Sequence, residues 1–492
     1  MPANGSRLPP RPEALPQRLL AEQAFSRAAG APLCAGNRLR LLRDATGNYP
    51  AWLAAIANAR HSIHLENYII EADAVGHDFI AALAERARAG VTVRLLYDWM
   101  GSLFTRTPGF FQPLLAAGGE VRAFNPLHPA RPLGWLARDH RKSLVVDATT
   151  GFVSGLCISA RWLGNAREGL APWRDTGLEI RGPAVADLLA AFRQTWDLAG
   201  PPLPREELVL AEEMPGVGET LLRVIASSPY TSGLYRLDQL IAAMAQETLW
   251  LTDAYFLGTP AYVQALCAAA RDDVDVRLLV PSTSDLPLVS AFSRAGYRPL
   301  LEAGVRVFEW NGTMLHAKTA VADGRWARVG SSNLNVASWI SNYELDVAVE
   351  DEGFAQAMEA MYLEDLEQST EIVLGPEQRI RPREQRLRTR SKGRPRTAAA
   401  SALRLGNTLA AAVQQRRELG GVEAATLLLI GLLLLGIGTA LVLRPELLAW
   451  PVAGLALWFS GTVLLQAWRL WRRPSRRQGA SGDRPGQASP PD

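Results

Sequence analysis

The chain has 492 residues, 48% of them hydrophobic, and a formal net charge of +3. That length exceeds one ordinary domain and allows a sizeable core. Three widely spaced cysteines, Cys34, Cys157 and Cys267, give no disulfide framework and fit a reducing compartment. The basic excess lies in the C-terminal linker and tail. The remainder is near neutral or acidic, which argues against the broad basic face of a nucleic-acid enzyme.

Residues 1–34 read as a disordered or extended N-terminus. The first eighteen hold five prolines and no continuous apolar core, unlike a cleavable signal peptide. Residues 35–200 then alternate strand and helix patterns, as in the runs ending Leu65-Glu66-Asn67-Tyr68 and Val93-Arg94-Leu95-Leu96. This stretch closes on His140-Arg141-Lys142, the apolar run Leu144-Val145-Val146, and Asp147. Residues 201–375 repeat the order, with Leu251-Thr252-Asp253-Ala254-Tyr255, Val276-Arg277-Leu278-Leu279, and then His316-Ala317-Lys318, a short apolar run and Asp323. Strands alternating with helices predict an α/β fold with helices on both sheet faces. A repeat this long signals two fused domains and not a solenoid.

Residues 376–421 form a basic linker. Between 379 and 396 it carries nine Lys or Arg against the single acid Glu384, and prolines discourage a continuous helix. Residues 422–470 read as a transmembrane hairpin. Positions 424–443 are uncharged and leucine-rich, and at ~1.5 Å per residue they span about 30 Å, the thickness of a bilayer core. A second uncharged stretch, 447–468, carries Trp450, Trp458 and Trp468. Arginines flank both ends, so the positive-inside bias places both ends, and the tail 471–492, in the cytoplasm.

The two H-x-K-x4-D motifs carry the chemistry. A phosphodiester is a poor electrophile with a poor leaving group. One neutral imidazole can attack phosphorus and form a phosphohistidine, dividing one hard displacement into two easier ones. The other, protonated, can give its proton to the leaving alcohol and later take one from the acceptor. Lys142 and Lys318 can neutralise the non-bridging oxygens. The scheme requires no metal and no cofactor. Histidine and lysine two apart project from the same strand face, so each pair points into one pocket. Asp147 and Asp323 complete the catalytic motifs, but their place at the strand ends suits fixing a turn better than chemistry.

These motifs, with Gly330-Ser331-Ser332-Asn333, Trp173-Arg174-Asp175-Thr176 and Asn342-Tyr343-Glu344, resemble the phospholipase D superfamily, and within it the bacterial cardiolipin synthases. The resemblance covers roughly residues 20–375 and implies two tandem α/β/α sandwich domains related by a pseudo-twofold axis, both motifs meeting in one cleft. His140 and His316 match the nucleophile and the acid/base, with a mild preference for His140 as nucleophile. Lys142, Lys318, Ser331 and Asn333 match a phosphate-holding set. Glu344 matches a carboxylate that orients a catalytic imidazole, and Asp175 is the candidate for that task in the first half. The sequence departs from the family pattern at Cys157, where an Asn is usual, and a thiol is a weak donor beside an amide.

The implied activity is a phosphatidyl transfer that makes cardiolipin from phosphatidylglycerol and a second phospholipid, phosphatidylglycerol or phosphatidylethanolamine, at the bacterial inner membrane. The alternative is a hydrolase of the same fold, acting on phospholipid or, less readily, nucleic acid. The same phosphohistidine is resolved by an alcohol in one case and by water in the other. The hairpin and basic linker favour the lipid substrate.

Overall fold

The computed structural model describes residues 14–374 apart from 104–106, 129–133, 166–168 and 232, together with 416–419 and scattered positions between 432 and 461. Contacts divide the chain into two units. The larger contains both repeats, and the smaller comprises Leu127–Pro132 with Leu429–Asp492.

The larger unit is built on one mixed sheet. Its first-half strands are β1 (Cys34–Arg43), β2 (Ser62–Asn67), β3 (Thr92–Asp98), β4 (Glu120–Phe124), β5 (Lys142–Val146), β6 (Thr150–Ser154) and β7 (Thr176–Arg181). The second half supplies β8 (Thr220–Ser227), β9 (Thr248–Thr252), β10 (Asp275–Pro281), β11 (Arg306–Trp310), β12 (Thr319–Ala322), β13 (Trp326–Gly330), β14 (Glu344–Glu350) and β15 (Ser369–Leu374). From the centre outward the first half runs β1-β7-β6-β5-β2-β3-β4, and the second runs β8-β14-β13-β12-β9-β10-β11-β15. The repeated order is what a pseudo-twofold axis requires. The halves meet at the antiparallel β1–β8 pair. A further short strand, Arg416–Leu419, lies parallel to β15 at the outer edge.

Strands β2, β3 and β4 of the first half and β9, β10 and β11 of the second are parallel, the motif strand joins each set antiparallel, and β15 adds antiparallel to β11. Register then fixes the site. Lys142, at the start of β5, lies opposite Asn67 at the end of β2, and Thr319 lies opposite Thr252 at the end of β9. Both motifs therefore begin at the carboxyl ends of the parallel strands, where open α/β sheets place ligands. Both motif strands are buried throughout, which explains their unbroken apolar runs.

Helices cover both faces, as the alternation predicts. Asp44–Asn58 and Ala74–Arg88 bury Trp52, Ile56, Phe79 and Leu83 against the first half. Gly233–Met244, Pro260–Arg271 and Tyr297–Ala303 cover the same face of the second. On the opposite face Ala184–Ala199 and Glu352–Glu367 share one continuous core that takes strand residues from both halves, including Val145, Leu178, Val224 and Val321.

The N-terminus corrects one expectation. Residues 14–29 form a helix and not an extended segment. Their Ala, Leu, Gln and Glu content suits a helix. Phe25, Ala29 and Ala31 pack into the second half's core, and Arg223 reaches the Glu22 carbonyl and Ser26. Residues 1–13 lie outside the described residues.

So do most of the linker and hairpin. In the smaller unit the described positions from 432 to 461 are mainly helical, with Leu432, Leu435, Trp450 and Leu457 exposed. Among the described residues no helix is long and apolar enough to cross a membrane.

Candidate active site

The two histidines precede their strands and are held by backbone bonds across the halves. His140 N–H donates to the Tyr343 carbonyl at 2.9 Å, and His316 N–H donates to the Arg174 carbonyl at 2.7 Å. Two short parallel bridges, Asp139 with Tyr343 and Arg174 with Leu315, result. Each half thus presents its motif to the loop that begins the other half's strand β14 or β7.

Those loops deliver the orienting carboxylates, and the pairing is exchanged between halves. His140 Nδ1 donates to Glu344 Oε2 at 2.9 Å. His316 Nδ1 donates to Asp175 Oδ2 at 2.8 Å. The expectation that Asp175 serves the histidine of its own half is therefore corrected: it serves the second motif, and Glu344 serves the first. With Nδ1–H engaged, each neutral imidazole keeps its lone pair on Nε2.

Both carboxylates are fully buried and fixed. Glu344 accepts from Ser331 Oγ at 2.6 Å and from Asn342 Nδ2 at 3.0 Å. Asp175 accepts from Trp162 Nε1 at 2.8 Å and from the Thr176 amide at 2.8 Å. A Cβ on Gly155 would fall 2.2 Å from Asp175 Oδ1, so the close approach requires glycine there. Burial by itself would raise both carboxyls. The facing histidine and nearby lysine charge outweigh it and hold both below their ordinary range.

The lysines turn inward beside their histidines. Lys142 Nζ donates to the His140 carbonyl at 2.6 Å. Lys318 Nζ lies 2.9 Å from Nδ1 and 3.1 Å from Nε2 of His316, near-equal distances that set it over the ring. Burial pulls Lys318 down to about 8. Burial and the Lys318 charge together pull His316 down to about 4. Burial also lowers His140, against the pull of Glu344. Both imidazoles are consequently neutral at pH 7, before any phosphate arrives.

Aromatic rings frame the pair. Tyr68 meets His140 edge-on at 4.8 Å, and Trp162 and Trp173 lie 5.1 and 5.7 Å from His316. Tyr255 lies 5.9 Å from His316 and donates to Asp285 Oδ1 at 2.6 Å. In the sequence Tyr68 and Tyr255 appear only at the ends of repeated runs, Trp173 only within the Trp173-Arg174-Asp175-Thr176 motif, and Trp162 carries no signal. Recurrence just past β2 and β9 was the available signal for the tyrosines.

The remaining predicted residues divide. The Asn333 side chain is buried, and its Oδ1 has no partner among the described residues. That oxygen is an acceptor, so the atom able to donate to a phosphoryl oxygen is the amide Nδ2. Ser331 cannot donate there, because its hydroxyl already donates to Glu344. Asp147 and Asp323, counted with the catalytic motifs, take instead the turn-fixing role that their place at the strand ends suits. Asp147 accepts the amides of Arg60, His61 and Ser62 at the start of β2, at the far end of β5 from His140. Asp323 accepts those of Gln246, Glu247 and Thr248 at the start of β9. Both have positive φ, 52° and 51°, as turn residues do. They set strand entry and do no chemistry. Among the described residues no group of three or more His, Cys, Asp or Glu side chains is placed to hold a metal ion.

The family model described as cardiolipin synthase, PLD-like domain, matches residues 52–196 and 238–366. The chain belongs to the phospholipase D-like cardiolipin synthase family. Among its relatives, a cardiolipin synthase A of Pseudomonas aeruginosa is 37% identical over 367 residues, which is 73% of this chain and 72% of that protein. A cardiolipin synthase of Geobacillus sp. is 33% identical over 71% of this chain and 70% of its own. The crystal structure of a Haemophilus influenzae phosphatidylserine synthase superposes with a TM-score of 0.57 at 15% identity, covering 72% of this chain and 92% of that one. That likeness concerns the fold. Both family segments contain a histidine–lysine motif and one of the two exchanged carboxylates.

Proposed function

We infer that this protein is a cardiolipin synthase, a phosphatidyltransferase that joins phosphatidylglycerol to a second phospholipid. The observation that carries this reading is the pair of neutral, carboxylate-oriented histidines, each beside a buried lysine, in a chain of this family. One imidazole Nε2 attacks phosphorus of phosphatidylglycerol. The bond to the glycerol oxygen breaks, and the other histidine, protonated, gives that oxygen its proton. A phosphatidyl-histidine results. A glycerol hydroxyl of a second phosphatidylglycerol then attacks phosphorus, yields its proton to the same acid/base histidine, and the N–P bond breaks to release cardiolipin; with phosphatidylethanolamine as second lipid, that lipid forms the phosphatidyl-histidine, ethanolamine leaves, and phosphatidylglycerol is the acceptor. Lys142, Lys318 and Asn333 hold the non-bridging oxygens while charge develops there. Phosphate pairing with Lys318 removes the charge that depresses His316. The resemblance's assignment of His316 as acid/base is then self-consistent, because substrate binding raises its proton affinity.

A lipid substrate agrees with the site's surroundings. Leu257, Val336 and Ile340, within a few residues in sequence of Tyr255, Asn333 and Glu344, are exposed, as is Leu286 next to Asp285. Apolar side chains around a phosphodiester site suit acyl chains better than a nucleic-acid backbone. The same reading takes 422–470 as a membrane hairpin, with exposed leucine and tryptophan on helical backbone at its described positions. It also places the catalytic halves on the cytoplasmic side of a bacterial inner membrane, with basic residues 379–396 near anionic head groups.

The test is product analysis. Full-length protein in mixed micelles is given phosphatidylglycerol, with and without phosphatidylethanolamine, and the lipids are read by mass spectrometry. Cardiolipin that disappears with His316→Ala establishes the synthase, and its dependence on phosphatidylethanolamine identifies the second lipid. Phosphatidic acid without cardiolipin makes the protein a hydrolase.

A further inference from the structure

The two halves are not equally equipped to hold a phosphoryl group. In the second, Asn333 brings an amide. At the same position of the repeat the first half has Cys157, which is 1% exposed. Burial raises its thiol, so it stays protonated and is a weak donor. Ile158 N–H donates to the Ile69 carbonyl at 3.1 Å, so the Cys157 loop runs beside the segment that follows β2. The first half therefore has a donor missing where transition-state charge accumulates.

A second group stands beside His140 and Lys142 without a task. Tyr68 is one residue past β2, its ring edge-on to His140 and 4.9 Å from Lys142 Nζ. Its hydroxyl has no hydrogen-bond partner among the described residues, whereas the Tyr255 hydroxyl is tied to Asp285. The ring's position is fixed from behind. Ser102 Oγ donates to the Tyr68 carbonyl at 3.2 Å, and a Cβ on Gly101 would lie 2.6 Å from the ring. The Ile70–Ile158 bridge sets the Tyr68 segment alongside the Cys157 loop. Burial keeps the Tyr68 phenol protonated, a donor throughout the working range.

We propose that the Tyr68 hydroxyl donates a hydrogen bond to a non-bridging phosphoryl oxygen, replacing in the first half the donor that Cys157 does not supply. Tyr68 is then a catalytic residue that touches substrate, and not packing for His140. The inference rests on the site binding a phosphodiester, the premise of the transferase reading. It does not depend on whether the product is cardiolipin or phosphatidic acid. A preformed donor aimed at developing charge typically contributes about 10²-fold or more to turnover.

The variant is Tyr68→Phe, which keeps the ring and removes only the hydroxyl. Two readouts on the full chain test it. Orthovanadate, a mimic of the five-coordinate phosphoryl, is titrated by tryptophan fluorescence, since Trp162 and Trp173 flank His316. We expect about tenfold weaker vanadate binding in Tyr68→Phe. We also expect turnover of phosphatidylglycerol, counted as all products, to fall about 10²-fold with KM little changed. Cys157→Asn added to Tyr68→Phe should restore at least tenfold of that turnover, because the amide returns the missing donor. Vanadate affinity and turnover within twofold of wild type in Tyr68→Phe would overturn the proposal. Failure of a folded double variant to recover would overturn the link to Cys157. A wild type that binds vanadate but makes no cardiolipin defeats the transferase reading alone.

Discussion

Glu344 lies 204 residues beyond His140 in the chain, yet its Oε2 sits 2.9 Å from His140 Nδ1. Asp175 and His316 complete the reciprocal pair at 2.8 Å. Each catalytic histidine is therefore oriented by the opposite half, and neither half alone contains a complete site. Glu344→Gln keeps the shape but cannot hold Nδ1–H as a carboxylate does. Loss of an orienting carboxylate in a comparable triad costs about 10⁴-fold in turnover, and a drop of 10³- to 10⁴-fold is expected here. The exchange makes a sharper forecast by NMR. Glu344→Gln shifts the His140 ring resonances and lowers the His140 pKa further, leaving His316 near its wild-type position; Asp175→Asn does the reverse. A shift confined to His316 in Glu344→Gln would contradict the crossed pairing.

Lys318 sets a basic limit on activity. Burial brings its pKa to about 8 in the free protein. It is charged below that pH and neutral above it, so phosphate binding weakens as pH rises through about 8. A basic limb in kcat/KM near pH 8 is expected. Bound phosphate stabilises the ammonium, so the corresponding limb in kcat lies higher. Lys318→Arg should abolish the limb even if it lowers the plateau, because guanidinium stays protonated. A limb that persists in a folded Lys318→Arg protein would assign it to another group.

Asp147 contributes to stability and not to chemistry. Burial would raise its carboxyl, but three amide donors at 2.7–2.9 Å hold it below its ordinary value. A depressed folded-state pKa contributes stability that is complete above the unfolded value and lost as pH falls through the folded one. Asp147→Ala removes these bonds and strains a positive-φ position, at a cost of about 2–4 kcal/mol. Tm should fall, and the difference from wild type should shrink below pH 4. Turnover per folded molecule should stay within a few-fold. A 10³-fold loss in folded Asp147→Ala would return this residue to the reaction.

Much of this was legible in the sequence because it is local. His140 with Lys142 and His316 with Lys318 follow from strand periodicity, and the order of strands and helices follows from the repeat. The partner of each histidine was not legible. It depends on how β1 meets β8, which brings Tyr343 and Arg174 alongside the opposite motifs. The motif aspartates are grouped with the histidines by sequence proximity, but their strand-end positions already suit a turn, and the intervening buried strand carries them to the far end of the sheet. Ser331 was read as a phosphate ligand because its spacing could not reveal that Glu344 already accepts its hydroxyl. The N-terminal helix was hidden by prolines at 2–16, which end just as the helix-forming run becomes continuous.

The identity of the attacking histidine can be separated from the need for both. His140→Ala and His316→Ala should each reduce transfer by at least about 10⁴-fold, because nucleophile and acid/base act as one unit and their losses are not additive. Their effects on the intermediate differ. If His140 attacks, His140→Ala forms no phosphoenzyme. His316→Ala leaves the nucleophile and loses the group that activates the acceptor, so a substrate with a good leaving group, which needs no proton, still charges His140. A p-nitrophenyl phosphodiester provides that substrate. Mass spectrometry of the quenched His316→Ala protein should show the phosphoryl adduct on His140, with a burst of p-nitrophenol equal to the enzyme concentration. Free inorganic phosphate should also raise the His316 pKa from about 4 in the wild type, since it neutralises the Lys318 charge that depresses it. An adduct on His316 in the His140→Ala protein would reverse the two roles, and adducts in both variants would rule out a single nucleophile.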